Sequence, residues 1–111
     1  MSSSVDYVNY ILEQLSGAGR VRARRMFGEY GLCLDGLFFA VICGDELFIK
    51  PVQAALEAFP GLPLAPPYEG AKDYIRVDDT DDAPALCALV RLTCAALAEQ
   101  PQPKRRRRNG F

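Results

Sequence analysis

Tyr30-Gly31-Leu32-Cys33-Leu34-Asp35-Gly36-Leu37-Phe38-Phe39-Ala40-Val41-Ile42 carries one turn signal between two apolar runs. A two-residue hairpin turn needs positive φ at both central positions, and Asp-Gly accepts that conformation with little strain. The spacing predicts an antiparallel hairpin with Leu34 opposite Leu37, Leu32 opposite Phe39 and Tyr30 opposite Val41 on one face. Cys33, Phe38, Ala40 and Ile42 then fall on the other. Both faces are apolar, which excludes a one-layer sheet with one face in water. Either helices cover both faces or one face is buried against another subunit, so a homodimer is one of two expectations.

Working outward, Gly44-Asp45 is a second turn and leads into the strand Glu46-Leu47-Phe48-Ile49-Lys50, so residues 21–50 read as an antiparallel meander. Before it, Val5, Val8, Ile11, Leu12 and Leu15 recur at helical spacing, with Ser3 as cap, Asp6 as its capping-box partner, and Gly17 and Gly19 as the stop. After it, residues 52–59 suit a short helix ended by Pro60-Gly61. Pro60, Pro63, Pro66 and Pro67 make a stiff extended loop. Tyr74-Ile75-Arg76-Val77 alternates as a later strand. A last helix has Asp82 near its N-cap, Pro84 in its first turn and a stripe of Leu86, Leu89, Val90, Thr93 and Leu97. The fold class expected is two-layer α+β: an antiparallel sheet, a meander of three or four strands plus one later strand, with about three helices. Residues 1–100 form the domain, and 101–111 lack a core-forming pattern and are expected to be a disordered basic tail.

At 111 residues, half of them apolar, the chain suits one domain with its own core. No run of 18 apolar residues is present to cross a bilayer. Met1-Ser2-Ser3-Ser4-Val5-Asp6 lacks the basic start and apolar stretch of a signal peptide, so a cytoplasmic location is expected. Cys33, Cys43, Cys87 and Cys94 are too far apart for a zinc hairpin and sit in apolar runs, which reads as reduced, buried thiols. No metal and no cofactor is expected.

There is no histidine, which removes the usual general base, and the serines lie only at Ser2, Ser3, Ser4 and Ser16. An enzyme is therefore not expected. Gly28-Glu29-Tyr30-Gly31 is too short for a phosphate loop. Asp78, Asp79, Asp81 and Asp82 lack calcium-loop spacing and read as an acidic loop before a helix. Net charge is −1, but Lys104, Arg105, Arg106, Arg107 and Arg108 contribute +5 and leave −6 on the rest. These five, with Arg20, Arg22 and Arg24 on one side of a strand, are the candidate nucleic-acid contacts. For the arginines, a charged edge strand that discourages aggregation or pairs with the acidic residues of 78–82 is the favoured reading.

Arg25-Met26-Phe27-Gly28-Glu29-Tyr30-Gly31-Leu32, then Asp35-Gly36, Phe39-Ala40 and Leu47-Phe48-Ile49-Lys50, together resemble the signature of the TfoX N-terminal domain family. The residues carrying it are Arg25, Met26, Phe27, Gly28, Gly31, Leu32, Asp35, Gly36, Phe39, Ala40 and Lys50, and they read as architecture: glycines for backbone, with Met26, Phe27, Leu32 and Phe39 as core. The resemblance implies a non-enzymatic regulatory or protein-interaction module, in a stand-alone N-terminal form. It further implies transcriptional regulation of competence, with a transcription factor or the chain itself as partner. The alternative is a weak, sequence-nonspecific nucleic-acid binder using the basic tail.

Overall fold

The computed structural model describes residues 4–26 and 29–99. Helix α1 (Val5–Gln14) is followed by a 3-10 turn, Ser16–Ala18, and four strands, β1 (Val21–Met26), β2 (Glu29–Leu34), β3 (Leu37–Cys43) and β4 (Glu46–Ile49). Helix α2 (Gln53–Ala58), strands β5 (Leu64–Ala65) and β6 (Tyr74–Val77), and helix α3 (Ala83–Glu99) complete the order. The sheet runs β1-β2-β3-β4-β6-β5 and every neighbouring pair is antiparallel. The expected α+β architecture is present, with one strand more than the sequence indicated. That strand, β5, is a two-residue pairing of Leu64 with Ile75 and Ala65 with Tyr74 inside the proline-rich loop.

The decisive turn has the expected form. Asp35 and Gly36 have φ of 52° and 83°, and Gly44 and Asp45 repeat that conformation at the next turn. A β-carbon at position 36 meets nothing within 4 Å, so the cost of a side chain there is backbone strain alone. Gly36→Val is expected to lower stability by about 1–3 kcal/mol. Chemical denaturation checks it, and an unchanged midpoint would contradict the turn.

The register beyond the turn differs from the expectation. Leu34 pairs with Leu37 and Cys33 with Phe38, but the ladder then shifts, so Leu32 meets Ala40, Gly31 meets Val41 and Tyr30 meets Ile42. Phe39 is the extra residue of a β-bulge, and a bulge puts two consecutive residues on nearly the same side. Phe39, Ala40 and Ile42 therefore all join Leu32 in the core, correcting the faces assigned from strict alternation. Phe38, Val41 and Cys43 point the other way.

All three helices cover the core side. Val8, Ile11 and Leu15 of α1, Ala55 of α2, and Leu86, Leu89, Val90 and Cys94 of α3 pack on Leu32, Phe39, Ile42, Leu47, Ile49 and Ile75 of the sheet. Among the described residues no helix lies on the other face. Thr93, fully buried in α3, donates its hydroxyl to the Leu89 carbonyl at 2.8 Å, so it leaves no unsatisfied donor.

Helix ends follow local chemistry with one displacement. Ser4 caps α1, and Ser3 lies outside the described residues: the Ser4 Oγ accepts the Tyr7 amide at 3.1 Å while its own amide donates to Asp45 Oδ1 at 2.8 Å. Asp82 caps α3 as expected, accepting the Ala85 amide at 3.2 Å. The loop before α3 is tied to α1 through Tyr10, whose hydroxyl bonds to Asp81 and Thr80, and through Gln14 Nε2, which donates to the Thr80 carbonyl at 2.8 Å. Among the described residues no helix is long and apolar enough to cross a membrane.

Candidate functional site

The helix-free face of the sheet holds a broad concavity. Alternation along each strand sends Arg22, Arg24 and Met26 of β1, Gly31 and Cys33 of β2, Phe48 of β4, and Tyr74 and Arg76 of β6 to this side, beside Phe38, Val41 and Cys43. Val41 and Phe48 are buried here although no helix lies over them. The segment after β5 folds back instead: Pro67, Tyr68, Ala71 and Lys72 form the opposite wall of a groove of about 1060 Å³ whose floor includes Phe38 and Tyr74. Tyr68 is 65% exposed at its rim.

Gly31 makes the floor possible. It is a strand residue, and space, not φ, dictates glycine there. A β-carbon would lie 2.5 Å from Met26 Sδ and 2.8 Å from Phe38 Cε1, so both side chains cross directly over the missing group. Lys50 places its ammonium 4.9 Å from the centre of the Phe38 ring. On the helix side, the Arg25 guanidinium stands 5.6 Å from the Tyr30 ring. Each cation faces an aromatic quadrupole and holds that ring in place.

Groove chemistry is protonated and mixed in charge. Burial pushes the Cys43 thiol upward, and the nearby Glu29 carboxylate adds to the shift. Burial likewise raises Tyr74, with Tyr68 and Cys43 contributing. Glu29 and Glu46 bring negative charge to one end and Lys72 positive charge to the loop wall. Glu29 also accepts the Gly44 amide at 3.3 Å, which fixes the carboxylate against the turn.

The signature residues separate into two groups. Leu32, Phe39 and Ala40 are core, and Asp35 and Gly36 form the turn. Met26, Gly31 and Lys50 instead build the groove, which corrects the reading of Met26 as core. Arg25 lies exposed at the sheet edge, and Phe27 and Gly28 lie outside the described residues. So do Lys104, Arg105, Arg106, Arg107 and Arg108. Sequence reasoning does not reach Phe38, Tyr68, Tyr74 and Lys72 as site residues; the apolar second face of the hairpin is a signal for Phe38, whereas nothing local points to the loop wall.

Arg20, Arg22 and Arg24 are exposed around a second, shallower hollow of about 750 Å³ that also includes Cys33, Asp35 and Gly36. They do not pair with the acidic loop. Asp78 takes Arg76 at 3.0 Å, Asp79 accepts the Asp81 amide at 3.2 Å, Asp81 takes Tyr10, and Asp82 caps α3. Among the described residues no group of three or more metal-ligating side chains is placed to hold an ion.

The thiols divide by face, not uniformly as expected. Cys87 and Cys94 are buried in the helix layer, with Cys87 Sγ donating to the Gln14 carbonyl at 3.3 Å, while Cys33 and Cys43 are half-buried on the helix-free side. Burial pushes Cys94 up to about 11, with Asp35 and Cys33 adding to it. A thiol reagent is expected to label Cys33 first, Cys43 more slowly, and Cys87 and Cys94 only on unfolding. Mass spectrometry of the native labelling time course reads the order, and early modification of Cys94 would contradict the packing of α3.

Residues 13–97 match the family model described as the TfoX N-terminal domain. The chain is also 38% identical over 108 residues to a protein of Spirochaeta aurantia described as an uncharacterized 12.7 kDa protein in the trpE 5′ region, across 96% of this chain and 91% of that one. The family match begins within α1, takes in every strand and both walls of the groove, and ends within α3. On that extent of agreement, the chain belongs to the TfoX N-terminal domain family.

Proposed function

We propose that this chain is a non-enzymatic regulatory module of the TfoX type that works by holding a segment of another protein in the groove of its helix-free face. The process it serves is transcriptional regulation of competence in the cytoplasm, with a transcription factor as the partner. The observation carrying this is the aromatic groove itself: one face of the sheet is closed by helices, and the other is roofed only along one side by a loop. Aromatic side chains give large contact area with little rotamer entropy to lose, which suits a docking surface. The chain has no histidine, and the groove's thiol is held in its protonated form, which disfavours catalysis.

Capture from native lysate, with and without nuclease, tests the proposal when wild type is compared with Tyr68→Ala. Tyr68 is exposed enough that its loss should leave the melting midpoint unchanged. A protein retained by wild type after nuclease and released by Tyr68→Ala supports the docking role. Retention indifferent to the variant, or lost with nuclease, overturns it. Sedimentation at micromolar concentration decides whether the occupant is a second copy: a wild-type dimer that Tyr68→Ala returns to monomer is the homodimer.

A second reading, sequence-blind nucleic-acid binding, draws on the unneutralised Arg20, Arg22 and Arg24 and on the five basic residues after Pro103. It predicts that the full chain binds DNA at low salt and a chain ending at Gln100 does not. For the five tail charges it also predicts a salt slope of up to about 4 to 5. Equal binding by the two chains rules the tail out.

A further inference from the structure

The two edges of the sheet are unlike. β5 exposes an edge of two residues, whereas β1 exposes six, Val21–Met26, with no strand beyond it among the described residues. Outward-pointing amides and carbonyls on such an edge are a template for another strand. Along it, Arg22 and Arg24 stand exposed on the helix-free face, with Arg20 leading into the row and Arg25 exposed on the opposite face. Among the described residues none of the four makes an ion pair; the arginine that does is Arg76, with Asp78. Asp35 is the carboxylate that shares their hollow.

We propose that β1 is a docking edge for an extended acidic segment of a partner protein, which adds as a seventh strand beside Val21–Met26. Its alternate carboxylates would lie against Arg20, Arg22 and Arg24. Three features select this occupant. First, alternate residues of a strand recur every ~6.6–6.8 Å, so a row of arginines at two-residue steps meets every second side chain of an added strand in register. Opposite charges directly across a strand pair stabilise it, while like charges oppose it. Second, a copy of β1 would set arginine near arginine, so the same row that invites an acidic strand rejects self-pairing. Third, the chain as a whole carries −1, so no strong net field draws a polynucleotide to this edge and the pairing at the row itself decides the occupant.

The edge and the groove meet at Met26 but are separate surfaces, and the inference borrows from the proposed function only that the partner is a protein. A defined probe keeps the two distinguishable. The probe is a labelled synthetic peptide of about eight residues, the length of an ordinary strand, alternating glutamate with valine or threonine. It is titrated against the full chain by fluorescence anisotropy, beside its glutamine counterpart and a single-stranded oligothymidylate of equal charge. Two further peptides carry N-methyl groups on alternate backbone nitrogens, one in each register.

The glutamate peptide is expected to bind about tenfold or more tightly than the glutamine peptide, and Arg22→Glu/Arg24→Glu to lose that advantage at an unchanged melting midpoint. One N-methyl register should abolish binding and the other should preserve it, because an added strand turns only every second amide toward the edge. Amide exchange across Val21–Met26 should slow in the complex. Equal binding by both N-methylated peptides reduces the contact to charge alone and overturns the added strand. So does tighter binding of the oligonucleotide that Arg22→Glu/Arg24→Glu abolishes, which makes the row a phosphate contact, and so does the absence of peptide binding at low salt.

Discussion

Phe39→Ala is expected to destabilise the fold by about 3–5 kcal/mol, against a total of about 5–15 kcal/mol for a domain of ordinary stability. Phe39 has no exposed surface and is the largest of the fully buried side chains. It is also the extra residue of the bulge in β3, so its ring fills core space that regular pairing would leave to Ala40. Truncation removes the ring's transfer energy and leaves a cavity that the ladder on either side holds open. Phe38→Ala, one residue away on the groove side and half-buried, should cost far less, about 1 kcal/mol including the Lys50 contact. Urea midpoints of the two variants measure the difference. Comparable losses would mean that the bulge is misplaced.

Gly31→Val should lower stability by about 1–3 kcal/mol, the usual cost of forcing added carbons into filled space. Valine favours strands, so propensity alone predicts a gain. The clash decides the sign, because Met26 Sδ and Phe38 Cε1 already occupy the volume. Relief requires the Phe38 ring to leave its position beneath Lys50, which also spoils the groove floor. A variant that keeps the wild-type midpoint would show that Gly31 is not the constraint described.

The legible part of the fold was its local chemistry. Asp35-Gly36 and Gly44-Asp45 announced their turns because few residue pairs accept positive φ twice. Consecutive hairpins then dictated strand order from β1 to β4. The bulge was not legible, since apolar residues on both faces of β3 give alternation no phase, and a shift at Phe39 leaves the pattern equally apolar. In sequence Ser3 has Asp6 three residues on as a capping-box partner, whereas Ser4 caps α1 in the fold and is held by Asp45, 41 residues away, which no local pattern specifies. The strand Leu64–Ala65 is too short to show a period. The groove was half visible. Its floor followed from the unexplained second face, whereas its wall depends on where the proline-rich segment returns, which no local pattern specifies. Cys33 and Cys43 were misread for the same reason: an apolar neighbourhood in sequence is buried only where something lies over it.

The tie between Tyr10 and Thr80, spanning 70 residues of chain, sets an order of events in folding. β1 to β4 are joined by turns between neighbours, so the meander assembles from contacts of short sequence separation with little loop entropy to overcome. The helix layer is different, because α1 meets α3 and the 78–82 loop only after the intervening chain has been laid out. The meander is expected to form the rate-limiting nucleus, with the docking of α1 on α3 following the barrier. Substitutions at Leu32 or Ile42 should then slow refolding, whereas Ile11→Val and Leu89→Ala should mainly speed unfolding, a contrast that φ-values from stopped-flow kinetics measure. Near-unity values in α1 would reverse the order and make closure of the chain's two ends the first step.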